Sequence, residues 1–286
     1  MCSAPSSSYT QGYSPATLSS HASRTIHSDA AFLIPYIKPT DRILDVGCGP
    51  GTITIGFGPL VPQGSVLGID ISDEVLDQAR SLLAGNHDLK NVTFRHGNLL
   101  ASGGLQLQEA VVKEGSFDVV FSSQVFPHLA TPEMRRDALR EMKRLIKPGG
   151  IVATRDAAEL YFYPKSHGLD RLWTGNMLKT LRMGRPEEER VFPGGEMPGL
   201  YHEVGLGGVK VGAGTTVYGN KEERAWFAGR NRERLAVEDP YRESWAKAGV
   251  SEDGIEETIR ALKGWEEDKG GWYVAVQAEI LGWKSQ

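Results

Sequence analysis

The stretch Arg42-Ile43-Leu44-Asp45-Val46-Gly47-Cys48-Gly49-Pro50-Gly51 decides how this chain of 286 residues folds. Its apolar first half predicts a short strand, and its three glycines predict a tight turn that opens a helix at Thr52. Glycine permits positive φ angles and lets a ligand approach the backbone where a Cβ atom would block it. A second apolar strand, residues 65–69, ends at Asp70, whose carboxylate can accept hydrogen bonds from both hydroxyls of a ribose. The turn and the acid together indicate a site for a ligand that contains adenosine.

The details of the turn distinguish between adenosine ligands. A loop that binds a pyrophosphate needs backbone N–H donors and tolerates no nearby carboxylate. Here Asp45 stands two residues before the first glycine, and Pro50 removes one N–H group from the turn. The spacing is Gly-x-Gly-x-Gly rather than the Gly-x-Gly-x-x-Gly of dinucleotide-binding folds. These features favour a cationic ligand without phosphate, such as S-adenosylmethionine, and make a dinucleotide-dependent oxidoreductase the least favoured class of enzyme.

Four segments follow one another in the order and at the distances that a known enzyme family shows. They are residues 44–52 with the glycines, residues 68–72 with the ribose-binding acid, residues 92–99, and residues 117–122 together with 145–150. In these segments the chain resembles the class I S-adenosylmethionine-dependent methyltransferases, and most nearly their UbiE-like branch, which acts on small molecules. The resemblance covers roughly residues 20–156 and implies an enzyme whose cofactor is S-adenosylmethionine.

The resemblance also implies which residues bind the cofactor. They stand at the carboxyl ends of the strands and in the N-terminal arm, and they are Asp45, Gly47, Gly49, Gly51, Asp70, Ile71, Asn98, Leu99, Ser122, Gln124, Tyr13 and Arg24. The three glycines are expected to surround the methionine and ribose portions, and Asp45 to receive the ammonium group. Asp70 is expected to bind the ribose hydroxyls and Ile71 to pack on the adenine. Asn98 and Leu99 are expected to recognise the edge of the adenine.

Two of these assignments stay open at the level of the sequence. Gln124 can contact either the methionine portion of the cofactor or the acceptor. In relatives of this type the N-terminal arm often folds over the cofactor, so that Tyr13 or Arg24 would bind its carboxylate or close the site. The alternative is that both residues lie on the surface of a mobile arm, which is predicted for residues 1–19.

The chemistry of methyl transfer guides the search for a catalytic residue. The reaction is a displacement at carbon, so the nucleophile must be held in line with the sulfonium in a dry pocket. A base helps only an acceptor that must lose a proton. His128, which follows the fourth strand at the rim of the predicted pocket, is the candidate base, and its alternative role is to cap a helix or bond a loop carbonyl. Residues 122–125 are Ser-Ser-Gln-Val rather than Asn-Pro-Pro-Tyr, which disfavours enzymes that methylate nucleic acid bases or protein glutamine.

Strand and helix patterns alternate along the chain and predict an α/β fold: a doubly wound, mostly parallel seven-stranded sheet with helical lid inserts. Strands are predicted at 42–46, 65–70, 91–95, 117–122, 150–155, 207–218 and 272–282, the last two as an antiparallel pair. Helices are predicted at 20–37, 52–58, 73–84, 105–113 and 132–146. Residues 20–286 are expected to form a single methyltransferase domain, with inserts at about 157–205 and 219–265 covering the substrate site.

The composition is that of an ordinary globular protein, with 40% hydrophobic and 24% charged residues. A formal net charge of -4 argues against a nucleic acid partner, because binding a phosphate backbone needs a basic surface. No apolar run reaches the ~20 residues of a membrane span. The first residues lack the apolar segment of a secretory signal, and the two cysteines indicate neither a disulfide framework nor a metal site. A cytoplasmic enzyme without a metal is therefore expected.

These observations predict a methyltransferase that acts on a small organic acceptor. Because Trp and Tyr are concentrated in the inserts, N- or O-methylation of a natural-product intermediate, in secondary metabolism, is the favoured reaction. One alternative is C-methylation of a quinone-type ring, which the UbiE-like resemblance would imply. Others are a regulatory protein that binds the cofactor without methyl transfer, and a rearrangement promoted by the charge of the cofactor.

Overall fold

One seven-stranded sheet organises the chain in the computed structural model, which describes residues 24–107, 110–183 and 192–286. The strands are β1 (Arg42–Val46), β2 (Ser65–Asp70), β3 (Val92–His96), β4 (Gln106–Leu107), β5 (Ala110–Val111), β6 (Phe117–Ser123), β7 (Ile146–Tyr163), β8 (Gly207–Tyr218) and β9 (Trp272–Trp283). The order across the large sheet is β3-β2-β1-β6-β7-β9-β8, and β4 pairs only with β5. The first five strands of that order are parallel, whereas β9 is antiparallel to both β7 and β8. This is the predicted doubly wound, mostly parallel α/β sheet with its final antiparallel pair.

Helices cover both faces of the sheet. They are α1 (Ile26–Asp29), α2 (Thr52–Phe57), α3 (Asp73–Ala84), α4 (Pro132–Leu145), α5 (Asn176–Arg182), α6 (Met197–Glu203), α7 (Lys221–Arg234), α8 (Pro240–Lys247) and α9 (Glu252–Glu267). Successive strand residues point to opposite faces, so Ile43 packs with α1, α2 and α3, while its neighbour Leu44 packs with α4 and α6. Among the described residues, no helix has the length and apolar character needed to cross a bilayer.

The parallel strands end at one edge of the sheet, and short turns lead from there into the helices. The hydroxyl of Ser72 accepts the Val75 N–H and caps α3, and the hydroxyl of Thr131 accepts the Met134 N–H and caps α4. Pro132 occupies the first turn of α4, where its missing N–H costs no hydrogen bond. The predicted helices at 73–84 and 132–146 are confirmed. In such sheets ligands bind beyond the carboxyl ends of the strands, so this edge is where the site is expected.

Two predicted helices are wrong. Residues 20–37 were expected to form one helix, but the described part consists of α1 and a separate 3₁₀ turn at Ile34–Tyr36. Pro35 has no N–H to continue a helix, and it disfavours the helical conformation of the residue before it. The second error is 105–113, where the chain instead forms the short strands β4 and β5. Antiparallel pairing of Gln106 with Val111 and of Leu107 with Ala110 replaces the helix, and Gly103 and Gly104, with φ of 86° and 99°, form the turn before it.

Strand β7 is longer than the predicted 150–155 and extends to Tyr163. Its outer part, residues 157–163, was expected to belong to a helical insert but pairs with β9, after a register shift between Ala157 and Glu159. Beyond the parallel part of the sheet, a third apolar cluster packs on this extension and contains residues of α5, α7, α8 and α9. The single-domain boundary at residue 20 stays a prediction.

Candidate active site

A cavity of about 790 Å³ lies at the carboxyl edge of β1, β2 and β6 and continues beneath α5 and α7. Pockets that hold small molecules and cofactors measure roughly 300–1,000 Å³. Of the predicted cofactor residues, the ones that line it are Asp45, Gly47, Gly49, Asp70, Ile71, Asn98, Leu99, Gln124 and Arg24. The candidate base His128 lines the same cavity. Tyr13 lies outside the described residues.

The glycine turn uses its glycines in different ways. Gly49 has φ of +55°, borders the cavity, and would place a Cβ atom in open space with nothing within 4 Å. Gly51 has φ of +83°, and a Cβ there would lie 2.5 Å from Phe94 Cζ and 2.9 Å from Ala79 Cβ. Gly51 does not line the cavity, so its expected contact with the cofactor is corrected: this glycine lets α2 pack closely on β3 and α3. Gly47 and Gly49 line the cavity, and a Cβ at Gly47 would lie 2.5 Å from Val125 Cγ2.

Two carboxylates line the cavity beside this turn, the buried Asp45 and the half-buried Asp70. Asp45 Oδ2 accepts a hydrogen bond of 2.6 Å from Thr54 Oγ1, and burial raises the pKa of Asp45 to about 7 against the lowering effect of that bond. Asp70 Oδ2 accepts the Gly49 N–H at 3.0 Å, and its Oδ1 accepts the Ser72 N–H at 3.1 Å. Burial also raises the pKa of Asp70, opposed by these bonds.

Neither of these acids has an ion-pair partner in the part of the chain that the structure describes. A buried acid without a cation is unfavourable unless a ligand supplies the positive charge. S-adenosylmethionine carries an ammonium and a sulfonium group, so the donor set of the cavity fits it. Asp45 would hold the ammonium group, and Asp70, fixed by two backbone N–H groups, would accept the ribose hydroxyls.

The expected adenine subsite lies at the ends of β2 and β3. Ile71 follows β2, lines the cavity and is 42% exposed. Asn98 and Leu99 follow β3 and line the same region, with Asn98 Oδ1 accepting the Leu100 N–H at 2.9 Å. An exposed isoleucine face and a fixed amide suit a flat ring with a polar edge.

The end of β6 forms the rim between the two halves of the cavity. Ser122 is fully buried and does not line the cavity, whereas Ser123 does, because adjacent strand residues face opposite sides. The expected cofactor contact of Ser122 is therefore corrected.

Gln124 has φ of 58°, an uncommon conformation for a residue other than glycine. Its N–H donates to the Arg155 carbonyl at 2.8 Å, and its Nε2 donates to Gln277 Oε1 at 2.6 Å.

Two further polar residues, Arg155 and Gln277, line the cavity. Arg155 is 2% exposed and pairs with Asp29 at 2.7 Å and Glu279 at 3.2 Å, so it joins α1 to the sheet. These partners are 124 and 126 residues away in the sequence, so no local pattern could have found them. Gln277 belongs to β9 and holds the Gln124 amide in place across the cavity.

The second half of the cavity has aromatic walls. We call it the acceptor chamber, and its residues are Trp173, Tyr218, Trp226, Phe227, Arg230 and Tyr273. The rings of Tyr218 and Phe227 stack on Tyr273, with centroid distances of 5.6 and 5.0 Å. Trp173 meets Phe227 edge to face at 5.3 Å. Rings that support one another form a preformed, apolar surface beside the cofactor subsite.

Comparisons with known proteins agree with this geometry. Residues 37–182 match the family described as a methyltransferase domain. The chain is 42% identical over 280 residues to the probable methyltransferase ltbC of Aspergillus luteorubrus, covering 96% of this chain and 97% of that protein. It is 31% identical over 287 residues to the uncharacterized methyltransferase C1B3.06c of Schizosaccharomyces pombe, covering 96% of this chain and 95% of that protein.

Solved structures support the fold. The YcgJ protein of Bacillus subtilis superposes with a TM-score of 0.55 at 18% identity, covering 91% of this chain and 99% of that one. The fold and the two full-length relatives thus point to the same class of enzyme as the glycine turn does. The chain belongs to the class I S-adenosylmethionine-dependent methyltransferases, as its resemblance to the UbiE-like small-molecule branch predicted, and S-adenosylmethionine is its cofactor.

Proposed function

We propose that the chain methylates an oxygen or nitrogen atom of a small aromatic or apolar acceptor bound in the acceptor chamber, as expected for an enzyme that modifies natural-product intermediates. The observation that carries the proposal is the continuity of the cavity. A single cavity joins the residues suited to the cofactor with a chamber walled by stacked aromatic rings. An acceptor with a flat apolar body would replace water against these rings and gain their contact area.

Each group of residues has a proposed task in this reaction. Bound S-adenosylmethionine supplies an electrophilic methyl group. Asp45 and Asp70 hold the two ends of the cofactor, and the Gln124–Gln277 amide pair fixes the rim between cofactor and acceptor. The rings of the chamber exclude water, which strengthens the attraction between a developing anion and the sulfonium. His128, at the same rim, takes the proton from an acceptor hydroxyl or ammonium group.

The test is turnover with a panel of phenols, arylamines and hydroquinones. S-adenosylhomocysteine release identifies the acceptors, and transfer of a deuterated methyl group followed by NMR identifies the atom that receives it. The proposal predicts O- or N-methyl products. Asp70→Ala, which removes the ribose acceptor, serves as the control and should lose both cofactor binding and turnover.

Two outcomes would count against the proposed reaction. Methyl transfer to ring carbon of the hydroquinones alone would show the quinone-type reaction instead. Tight cofactor binding without S-adenosylhomocysteine release from any acceptor would favour the regulatory alternative. Calorimetric titration with S-adenosylmethionine, run before the panel, separates the second outcome from a misfolded preparation.

A further inference from the structure

Arg230 is a buried cation inside the acceptor chamber. It lies on α7, is 9% exposed and lines the cavity. The centre of its guanidinium group is 4.2 Å from the centroid of the Trp226 ring and 5.4 Å from that of Phe227. Its Nε and Nη1 atoms are buried and make no hydrogen bond with the described part of the chain. The rings therefore support the flat faces of the guanidinium group, while two donor atoms stay unsatisfied.

The charges around Arg230 do not neutralise it. Burial, together with the nearby cations Arg234 and Arg24, lowers the pKa of Arg230 to about 10, and the phenol groups of Tyr218 and Tyr273 oppose this lowering. A group with this pKa is still protonated at neutral pH. No carboxylate among the described residues forms an ion pair with it.

Three other buried or half-buried arginines have acidic partners. Arg232, two residues along α7, pairs with Glu266, and Arg242 pairs with Glu252 and Glu256. Arg155, deep in the sheet, pairs with two acids. Burying a guanidinium group without such a partner is unfavourable for the free protein. A ligand that brings the missing negative charge would remove this penalty, which points to binding as the reason for the residue.

We propose that the acceptor carries a carboxylate group and that Arg230 binds it, which rests on the proposed function of the chamber as the acceptor site. A planar guanidinium group matches a carboxylate through two parallel hydrogen bonds, and it does so better than a lysine could. The aromatic walls would hold the flat body of the same molecule. The substrate class is thus an aromatic acid whose methylated oxygen or nitrogen lies away from the carboxylate, at the rim beside Gln124 and His128.

The cofactor also has a carboxylate, but Arg230 and the glycine turn expected to surround the methionine portion belong to different parts of the sheet. The glycine turn follows β1, whereas Arg230 is on the helix after β8, near Tyr218 at the end of that strand. β8 is four strand positions from β1 in the order β1-β6-β7-β9-β8, roughly 19 Å at ~4.8 Å per strand. Arg24 also lines the cavity, and its predicted role, to bind the cofactor carboxylate or to close the site, stays a prediction.

The experiment compares matched acids and amides. Hydroxy- and amino-substituted naphthoic acids are assayed beside the corresponding naphthamides, which have the same shape and no charge. Wild type, Arg230→Gln, Arg230→Lys and the control Arg232→Gln are compared by kcat/KM, and the affinity of each for S-adenosylmethionine is measured by calorimetry. Arg232 has its own acidic partner and does not line the cavity, so its variant reports any general effect of altering α7.

The wild type should prefer the acids by about 10- to 100-fold in kcat/KM, the effect expected from hydrogen bonds between a guanidinium and a carboxylate that the amides cannot form. Arg230→Gln should abolish this preference by lowering kcat/KM for the acids, with the amides and the affinity for S-adenosylmethionine unchanged. Arg230→Lys should be intermediate, and Arg232→Gln should behave as wild type. Equal losses for acids and amides, or weaker cofactor binding in Arg230→Gln, would overturn the inference.

A binding measurement separates this inference from the proposed function. Unsubstituted 1-naphthoate and 1-naphthamide, which have no group to methylate, are titrated into the complex with S-adenosylhomocysteine. Stronger binding of 1-naphthoate that disappears in Arg230→Gln supports the carboxylate site even if no acceptor is turned over. Equal binding of the two probes, or no binding of 1-naphthoate, refutes the carboxylate site even if an uncharged acceptor is methylated.

Discussion

Replacing Gly49 and Gly51 separately with alanine should separate ligand binding from folding within one turn. Both residues have positive φ, at +55° and +83°, a region that costs an L-residue about 1–2 kcal/mol. Alanine also restricts the unfolded chain, which returns about 0.4–1 kcal/mol. On backbone grounds alone, each variant should therefore lose about 1 kcal/mol of unfolding free energy.

The surroundings of the added methyl group make the two variants differ. At Gly51 the new Cβ would lie 2.5 Å from Phe94 Cζ and 2.9 Å from Ala79 Cβ, closer than van der Waals contact allows. Overpacking of this kind costs about 1–3 kcal/mol, so Gly51→Ala should lose about 2–4 kcal/mol in total. At Gly49 no atom lies within 4 Å, and the N–H that donates to Asp70 is retained. Gly49→Ala should lose only the backbone contribution of about 1 kcal/mol.

When both variants are compared in the folded state, Gly49→Ala should bind S-adenosylmethionine more weakly than Gly51→Ala. The Cβ of Gly49→Ala would project into the cavity where the cofactor is expected, so its dissociation constant should rise by more than about tenfold, the effect of ~1.4 kcal/mol. Urea unfolding and calorimetric titration with S-adenosylmethionine measure the two quantities. Gly51→Ala combined with Phe94→Leu should recover part of the lost stability. Wild-type affinity in Gly49→Ala would refute the placement of the cofactor, and equal stability of the two single variants would refute the packing role of Gly51.

Three further predictions concern charged and titratable groups. Because burial raises the pKa of Asp45 from 3.8 to about 7, the folded chain keeps a proton that the unfolded chain releases, and the unfolding free energy should fall as pH rises from about 4 to about 7. Asp45→Asn should reduce that fall in urea unfolding at pH 5 and pH 8; an unchanged fall would contradict the assignment. Arg230→Met should raise the unfolding free energy of the ligand-free chain by about 1–3 kcal/mol, since it removes an unpaired buried charge, and a lower melting temperature would argue against this. His128→Gln should lower kcat by about 10²- to 10⁴-fold with unchanged affinity for S-adenosylmethionine; an unaffected kcat and pH–rate profile would exclude His128 as the base.

The sequence predicted the parallel part of the sheet well because its signals are local. A strand, a glycine turn and a following acid stand within one βα unit, and the parallel sheet then brings Asp45 and Asp70 to the same edge. The helix expected at 20–37 has the right apolar spacing, and Ala30 and Leu33 are indeed fully buried. Pro35 nevertheless divides the segment, and tertiary packing buries the same residues without a continuous helix.

The site residues were mispredicted where the direction of a side chain depends on contacts with residues distant in the sequence. Strand β6 is buried on both faces, so its sequence pattern could not show whether Ser122 or Ser123 faces the cavity. Gly51 looked like a ligand-facing glycine, but its facing neighbour, Phe94, comes from β3. Arg230 lies in α7, a helix rich in charged residues that looks solvent-exposed from its sequence. In the structure, however, Phe227 and Ala228 of this helix belong to the third apolar cluster.

The long pairing of β7 with β9 has a consequence for how such an enzyme changes its preference. The two strands run together from the parallel sheet to Tyr163 and Trp272, so the wall of the acceptor chamber is continuous with the backbone framework of the fold. Discrimination between acceptors would then depend on a fixed shape rather than on closure of a hinged cover. New specificities could arise in evolution, or in the laboratory, through exchanges of side chains along the outer ends of these strands and on α7. The carboxyl ends of β1 and β2, which carry the glycine turn and its acids, could stay unchanged while the same methyl-transfer chemistry is applied to another acceptor.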